Sequence, residues 1–224
     1  KTKLIKKCAS KLNEKDLENV SAVIFFAALN NDPKGNIDSK IYNKEINYTI
    51  KAAKLCKKKN IKFIYPSSCS VYGYGKSLFN ENSKTFPLTL YSKNKILIEK
   101  KLNKLKDKKF KPLILRLSTV FGPSPRLRLD LVANMFTGMS LANNIIELNS
   151  NGLSWRPHVY IDDVCNVILF FLKYDFSKMK NNIINVGHDK NNILRNKLAK
   201  KLVKINKLLK IIKLTEKNKM FSDK

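Results

Sequence analysis

The sequence lacks long apolar runs, clustered cysteines and more than a few glycines. Its longest apolar runs, such as SAVIFFAAL, fall short of the roughly 18 residues that a membrane-spanning helix needs. Cys8, Cys56, Cys69 and Cys165 are far apart, and neither histidine has a partner at metal-ligand spacing. These absences argue against a membrane protein, a disulfide scaffold and a metal site, and they predict a reducing, cytoplasmic setting.

Arginine is also scarce, although the formal net charge is +28. Only 5 of the 45 basic residues are arginine, and the lysines are scattered through the predicted helices. Scattered lysines are typical of a solvated surface and do not indicate a nucleic-acid interface. Between Pro112 and Leu172 there is no lysine, yet four arginines occur there. Because the planar fork of arginine suits anion binding, we expect anion recognition in this stretch.

Strand and helix patterns alternate along the first half of the chain. Continuous apolar runs predict strands at 21–29, 61–68 and 111–122, and helical spacing predicts helices at 41–60 and 90–106. A further short strand is predicted at 182–188, and an amphipathic helix at 193–214. This alternation predicts an α/β protein whose parallel sheet carries helices on its faces. In such a sheet the ligand site lies outside the carboxyl ends of the strands.

The segment YSKNK places Tyr91 and Lys95 four residues apart, on one face of a predicted helix. A free phenol has a pKa of about 10 and is a poor base at neutral pH, but an ammonium within about 4–6 Å favours the phenolate. The pair can therefore act as a general acid/base. In a lysine-rich chain this spacing also arises by accident. The catalytic interpretation is favoured by its position after a strand that ends in two serines, where Ser68 can hold a substrate oxygen.

Seven sequence blocks together resemble one enzyme family, the extended short-chain dehydrogenase/reductases. More closely, they resemble the NAD-dependent epimerase/dehydratase branch that acts on nucleotide sugars. The blocks, in order over residues 20–188, are VSAVIFFAAL, EINYTIKAAK, FIYPSSCSVYG, PLTLYSKNK, LILRLSTVFGPSPRLRLDLV, WRPHVYIDDV and NIINVGH. The resemblance implies a Rossmann-type α/β fold with a doubly wound parallel sheet, NAD as cofactor with NADP not excluded, and a nucleotide-sugar substrate.

The resemblance also implies a division of the chain and roles for its residues. Residues 1–122 would form a partial NAD(P)-binding domain and 123–224 a partial substrate-binding region, with 157–172 packing back on the first. Tyr91 would be the acid/base, Lys95 would bind the nicotinamide ribose, and Ser68 would be the catalytic hydroxyl. The other cofactor-binding residues would be Phe26, Ala27, Ala28, Asn30 and Asn47. The substrate would contact Ser68, Thr119, Arg126 and Arg156, of which Arg156 matches the arginine that binds the diphosphate.

The resemblance further implies a homodimer in the cytoplasm with no metal, nucleic-acid or membrane partner. The sequence also departs from the family pattern in three places. Thr119 occupies the place of a substrate-binding Asn, and Cys69 and Ser70 replace the Asp-Glu pair of the 4,6-dehydratases, so sugar dehydration is not expected. The glycine-rich turn that holds the cofactor pyrophosphate at a helix N-terminus is absent. We therefore expect an internal fragment of a longer enzyme, inactive and a poor NAD binder by itself.

Two other functions remain open from the sequence. A dehydrogenase or reductase of a non-nucleotide alcohol or ketone would share Ser68, Tyr91 and Lys95 but would not need Arg156. A non-catalytic regulatory or nucleic-acid-binding module on the same fold would need its lysines on one face, and the sequence shows no such confinement.

Overall fold

The computed structural model of the protein describes residues 5–28, 39–75, 78–148 and 150–213. The chain divides into two compact units. The first consists of Lys1–Leu117 with Asn166–Val186, and the second of Ser118–Cys165 with Gly187–Lys224. The predicted assignment of a cofactor part and a substrate part to residues 1–122 and 123–224 stays a prediction.

The described residues form nine strands and five α-helices. The strands are β1 Ala22–Ile24, β2 Lys62–Ser68, β3 Leu113–Leu117, β4 Thr119–Phe121, β5 Ile145–Leu148, β6 Trp155–Tyr160, β7 Ile183–Val186, β8 Asn192–Leu194 and β9 Lys210–Lys213. The helices are α1 Ser39–Lys58, α2 Leu90–Leu105, α3 Val132–Asn143, α4 Ile161–Lys173 and α5 Arg195–Ile205.

The first unit is built on a four-stranded sheet in the order β1-β2-β3-β7. All three strand pairs are parallel, as the alternation of strands and helices predicts. The central strands end in register, because Ser68 pairs with Leu117 and Leu117 pairs with Val186. The carboxyl ends of β2, β3 and β7 therefore share one edge of the sheet, where ligands bind in this architecture.

Helices α1 and α2 pack on the sheet through a common core. Small residues of α1, among them Ala52 and Ala53, are fully buried and allow the helix to lie close to the strands. From the strands, Phe63 and Tyr65 enter this core, together with Ile98 of α2. Burial of each large apolar side chain stabilises the fold by about 1.5–3 kcal/mol, so this layer holds the two helices against the sheet.

A reciprocal capping box starts α2 at a defined residue. The Thr89 side chain accepts a hydrogen bond from the Ser92 N–H at 3.1 Å, and the Ser92 side chain accepts one from the Thr89 N–H at 3.0 Å. Two N–H groups that the helix leaves without partners are thereby satisfied. This local device fixes the first turn of the helix, in which Tyr91 lies.

The second unit contains two small sheets. The first has three strands in the order β4-β6-β8, in which β4 and β6 are parallel and β6 and β8 are antiparallel. The second consists of β5 and β9, which are parallel. Its core gathers Phe136 of α3, Ile146 and Leu148 of β5, and Ala199 of α5. The helices α3 and α5 of this unit thus pack around the β5-β9 pair.

Three predicted elements are wrong in extent. The strand predicted at 111–122 is two strands, because β3 pairs within the first sheet whereas β4 pairs with β6. The helix predicted at 193–214 ends at Ile205, since the segment Lys210–Lys213 pairs with β5. Of the strand predicted at 21–29, whose last residue lies outside the described ranges, Ala22–Ile24 form β1, and Phe25 still donates its N–H to the Ile64 carbonyl at 2.9 Å. In the first two cases, pairing with distant strands overrides the local pattern.

Candidate active site

One face of α2 carries Tyr91, Lys95 and Glu99 at positions i, i+4 and i+8. Lys95 and Glu99 are each 2% exposed, and Tyr91 is half-buried. Charged side chains are almost never fully buried unless they are paired. What Lys95 and Glu99 can do chemically therefore depends on the groups with which they pair.

The Lys95 ammonium is held by partners from two other elements. It donates to Glu45 Oε1 of α1 at 3.2 Å and to the Tyr65 hydroxyl oxygen of β2 at 3.0 Å. The same nitrogen lies 5.3 Å from the centroid of the Tyr91 ring, within range of a cation–π contact. The structure therefore brings the predicted Tyr91 and Lys95 together, with the ammonium against the aromatic ring.

Burial and charge act in opposite directions on this cluster. Burial lowers the pKa of Lys95, and the neighbouring Glu45 carboxylate opposes that shift. Burial, followed by the charge of Glu45, raises the pKa of Tyr65 well above its ordinary value. Tyr65 therefore stays a neutral hydrogen-bond partner at physiological pH, and the more accessible Tyr91 is the phenol that can exchange protons with a ligand.

A second buried ion pair lies beside the first. The Arg116 guanidinium donates to Glu99 Oε2 from Nη2 at 2.7 Å, and its Nε also faces the carboxylate. The Ser67 hydroxyl donates to Glu99 Oε1 at 2.5 Å, and Arg116 Nη1 donates to the Tyr72 hydroxyl at 2.9 Å. Arg116 is thus paired with a carboxylate of this chain, and the expectation of anion recognition in the lysine-free stretch stays with Arg126 and Arg156.

Ser68 lies at the carboxyl end of β2 and is half-buried. Its hydroxyl oxygen accepts the Ser70 N–H at 3.2 Å and caps the short 3-10 helix Cys69–Tyr72. A hydroxyl that accepts one hydrogen bond can still donate its own hydrogen. Ser68 therefore keeps a donor for an oxygen atom placed at this strand end.

The predicted cofactor residues differ in exposure. Phe26 is 58% exposed, whereas Ala27 and Ala28, which also follow β1, are half-buried. Asn47 lies on the exposed side of α1, and Asn30 lies outside the described residues. An ammonium has three donors, so Lys95 can serve a ribose hydroxyl in addition to Glu45 and Tyr65.

In the second unit, Thr119 and Arg156 project from the same face of the β4-β6 sheet. Thr119 pairs with His158, and Arg156 precedes His158 by two residues, so the three side chains share one face. The side chain of Arg156 is exposed, as is that of Arg126. Burial and the neighbouring charge of Arg156 lower the pKa of Arg195. A bound anion would relieve this repulsion between two arginines.

Several residues of these clusters were not predicted as site residues: Glu45, Tyr65, Ser67, Tyr72, Glu99, Arg116, His158 and Arg195. For Glu45 a signal exists in the sequence. It shares the buried face of α1 with Thr49, Ala52 and Ala53, at helical spacing. An acidic residue on an otherwise apolar and small-residue face requires a buried partner, although the sequence does not say which one.

The described part of the chain has no helix that is both long and apolar enough to cross a membrane. Within residues 5–28, 39–75, 78–148 and 150–213, the His, Cys, Asp and Glu side chains form no group of three that could hold a metal ion.

Comparison of the sequence with known families gives one extended match. The family model of the NAD dependent epimerase/dehydratase family matches residues 8–187, which is most of the chain. A curated relative is the ADP-L-glycero-D-manno-heptose-6-epimerase of Brachyspira hyodysenteriae, which is 34% identical over 149 residues. The match covers 62% of this chain and 45% of that enzyme, so the chain spans less than half the length of this relative.

Solved structures resemble the fold closely. One is TunA, an NAD-dependent NDP-hexosamine 5,6-dehydratase involved in tunicamycin biosynthesis, with a TM-score of 0.82 and 20% sequence identity. The match covers 94% of this chain and 69% of the TunA chain. Another is MoeE5, solved in complex with UDP-glucose and NAD, with a TM-score of 0.79 and 19% sequence identity. The match covers 97% of this chain and 78% of the MoeE5 chain. At these identities the likeness shows the fold alone, and it confirms the predicted Rossmann-type α/β class.

Proposed function

We propose, since the chain belongs to the NAD dependent epimerase/dehydratase family, that the protein is an epimerase or reductase of nucleotide sugars that uses NAD. The observation that carries the proposal is the contact between the Lys95 ammonium and the Tyr91 ring, 5.3 Å from nitrogen to centroid. It lies on the helix that follows the strand ending in Ser68. The site thereby combines a phenol, a cation that favours its phenolate and a strand-end hydroxyl.

In the proposed mechanism, residues of this chain handle the proton of a sugar hydroxyl. Tyr91, as a phenolate, accepts the proton and, as a phenol, returns it. Lys95 favours the phenolate through its positive charge, and Ser68 donates to the substrate oxygen and so orients it. When bound, the nicotinamide supplies the carbon that accepts and returns a hydride.

The residues proposed to hold the cofactor are the two alanines after β1, with Phe26, Asn30, Asn47, Tyr91 and Lys95. The half-buried positions of Ala27 and Ala28 support this assignment, because small side chains let a ligand approach the strand end. Lys95 would use its third donor for a ribose hydroxyl, since the other two serve Glu45 and Tyr65.

The residues proposed to hold the nucleotide-sugar diphosphate are Arg156 and Arg126, with Thr119 beside them. Arg156 is exposed and projects from the same sheet face as Thr119. The charge of Arg156 also acts on Arg195, and two neighbouring guanidinium groups suit a diphosphate, which accepts several charge-assisted hydrogen bonds. A non-nucleotide alcohol would make no use of this arrangement.

The direct test of the proposed function is turnover by the full-length protein with a panel of ADP-, UDP-, GDP- and dTDP-linked sugars, supplied in separate assays with NAD and with NADH as the hydride donor. ADP-linked heptoses come first, because the curated relative is an ADP-heptose epimerase. We expect conversion of at least one sugar nucleotide. An epimerase yields an isomer without net change in nicotinamide absorbance, whereas a reductase changes it stoichiometrically. Turnover of simple alcohols with none of any nucleotide sugar would contradict the proposal.

Replacing Arg156 by lysine is expected to raise the KM for the nucleotide sugar by about 10–100-fold, with cofactor affinity nearly unchanged. The positive charge is kept, but an ammonium cannot make the bidentate contact with a phosphate that a guanidinium makes. Arg128→Lys is the matched control, because that guanidinium is already paired with Asp130. Equal KM values for Arg156→Lys and the unmodified protein would remove Arg156 from the binding site.

The homodimer and the cytoplasmic location implied by the family resemblance stay predictions. Sedimentation of the full-length protein at micromolar concentration would test the first, and fractionation of the source cells would test the second.

A further inference from the structure

Helix α1 contributes a fully buried carboxylate that the proton transfer described above does not use. The side chain of Glu45 is 0% exposed, and its Oε1 lies 3.2 Å from the Lys95 nitrogen, which is itself 2% exposed. An isolated charge in such a place changes its protonation state to become neutral. The Glu45 carboxylate favours the charged form of Lys95, because its charge and its hydrogen bond both raise the pKa of that ammonium.

Within the described part of the chain, Lys95 forms its ion pair with Glu45. The titratable and charged groups that face Lys95 and its partner Tyr65 are Glu45 and Tyr48 of α1, Tyr91 and Glu99 of α2, and, next to Glu99, Arg116 of β3. Glu99 is closer to Arg116, at 2.7 Å, and is balanced by that guanidinium. Among the residues that the structure describes, Glu45 is the carboxylate that accepts a hydrogen bond from the ammonium.

We propose that Glu45 is a positioning residue for the proton transfer at Tyr91: it keeps Lys95 in its ammonium form and holds that ammonium against the Tyr91 ring. The inference rests on the proposed function, because the place of Lys95 matters for turnover only if Tyr91 is the acid/base. A lysine side chain is a flexible four-carbon stem with many possible conformations. The hydrogen bonds of Lys95 to Glu45 and Tyr65 select one of these conformations. The third N–H of the Lys95 ammonium is then held in a fixed position, from which it can donate to a further acceptor.

Without Glu45, the lowering of the Lys95 pKa by burial is opposed by fewer interactions. Burial lowers the pKa of Lys95, and both the charge of Glu45 and its hydrogen bond raise it. When they are removed, we expect Lys95 to become a neutral amine nearer to neutral pH. A neutral amine does not favour the Tyr91 phenolate, so the activity that depends on this base would appear only at higher pH.

The test is Glu45→Gln in the full-length protein, with the protonation of Lys95 followed by NMR of the lysine side-chain carbons. The Lys95 signal is assigned by its loss in Lys95→Met. We expect its titration midpoint to fall by at least about 1 pH unit, and the limb of the pH–rate profile that rises with pH to move to higher pH. Glu14→Gln is the control for the same chemical change, since Glu14 is an exposed partner of Lys58, and it should move neither quantity.

Thermal unfolding at several pH values provides a second readout. In Glu45→Gln the folded-state pKa of Lys95 lies further below its unfolded value, so unfolding takes up a proton between the two pKa values. Stability then rises with pH through that window and is lost as pH falls through the folded pKa. The Tm deficit of Glu45→Gln should therefore shrink as the pH is raised towards the unfolded pKa of lysine.

The outcomes separate this inference from the proposed function. An unchanged Lys95 midpoint in folded Glu45→Gln overturns the inference, whatever the turnover. A shifted midpoint in a protein that converts no nucleotide sugar contradicts the proposed function and leaves the Glu45–Lys95 pair standing. If Glu45→Gln does not fold, the double variant with Lys95→Met is expected to fold, because both charges are gone. Failure of the double variant beside a folded Lys95→Met would overturn the inference, since Glu45 would then serve something other than Lys95.

Discussion

Replacing Tyr91 by phenylalanine is expected to lower nucleotide-sugar turnover by about 10²–10⁴-fold. The substitution removes the hydroxyl that would exchange a proton with the substrate and keeps the ring that contacts the Lys95 ammonium. Cofactor binding and thermal stability should therefore change little. A drop in turnover without a drop in stability distinguishes a chemical role for the phenol from a packing role.

The measurement is kcat with the best substrate of the panel, at pH values on both sides of the optimum. Tyr74→Phe is the matched control, because it removes the same atom from a side chain that is 79% exposed, and it should keep the full rate. The residual activity of Tyr91→Phe should also lose its dependence on a basic group. A full rate in Tyr91→Phe would exclude Tyr91 as the acid/base.

Replacing Glu99 by glutamine is expected to lower the free energy of unfolding by about 3–5 kcal/mol. The reason is the partner left behind, because Arg116 is 4% exposed and cannot lose its proton in a protein. Glutamine keeps the shape and can still accept the Ser67 hydroxyl, but it offers no charge to the guanidinium. The loss therefore measures an uncompensated buried charge and not a cavity.

Urea denaturation of the two proteins at neutral pH gives this difference. Glu14→Gln, which breaks an exposed pair with Lys58, should leave the unfolding midpoint unchanged. The joint replacement of Glu99 by leucine and Arg116 by methionine should recover most of the loss, because a buried ion pair and an apolar pair of similar volume are often comparable in stability. A loss below about 1 kcal/mol in Glu99→Gln would mean that water reaches Arg116 and compensates its charge.

Much of the first unit is determined by the sequence alone, because its signals are local. The apolar run before Ser68 and the helical pattern after Thr89 predict β2 and α2 to within a residue or two of their observed ends. The capping box of Thr89 and Ser92 explains why α2 starts where it does. Helix geometry by itself then puts Tyr91 and Lys95 on one face, and the order of strands and helices implies the parallel sheet.

Which charges meet inside the protein was decided only by the tertiary structure. Lys95 and its counter-ion Glu45 are 50 residues apart in the chain, and Arg116 lies on a different element from Glu99. Periodic patterns show which side of a helix is buried but carry no information about the partner that arrives there. The same reason explains why β3 and β4 looked like one strand, and why Lys210–Lys213 continued a helical pattern yet pairs with β5. Long-range contacts come from the packing of whole elements, whereas capping, helical spacing and strand alternation act within a few residues.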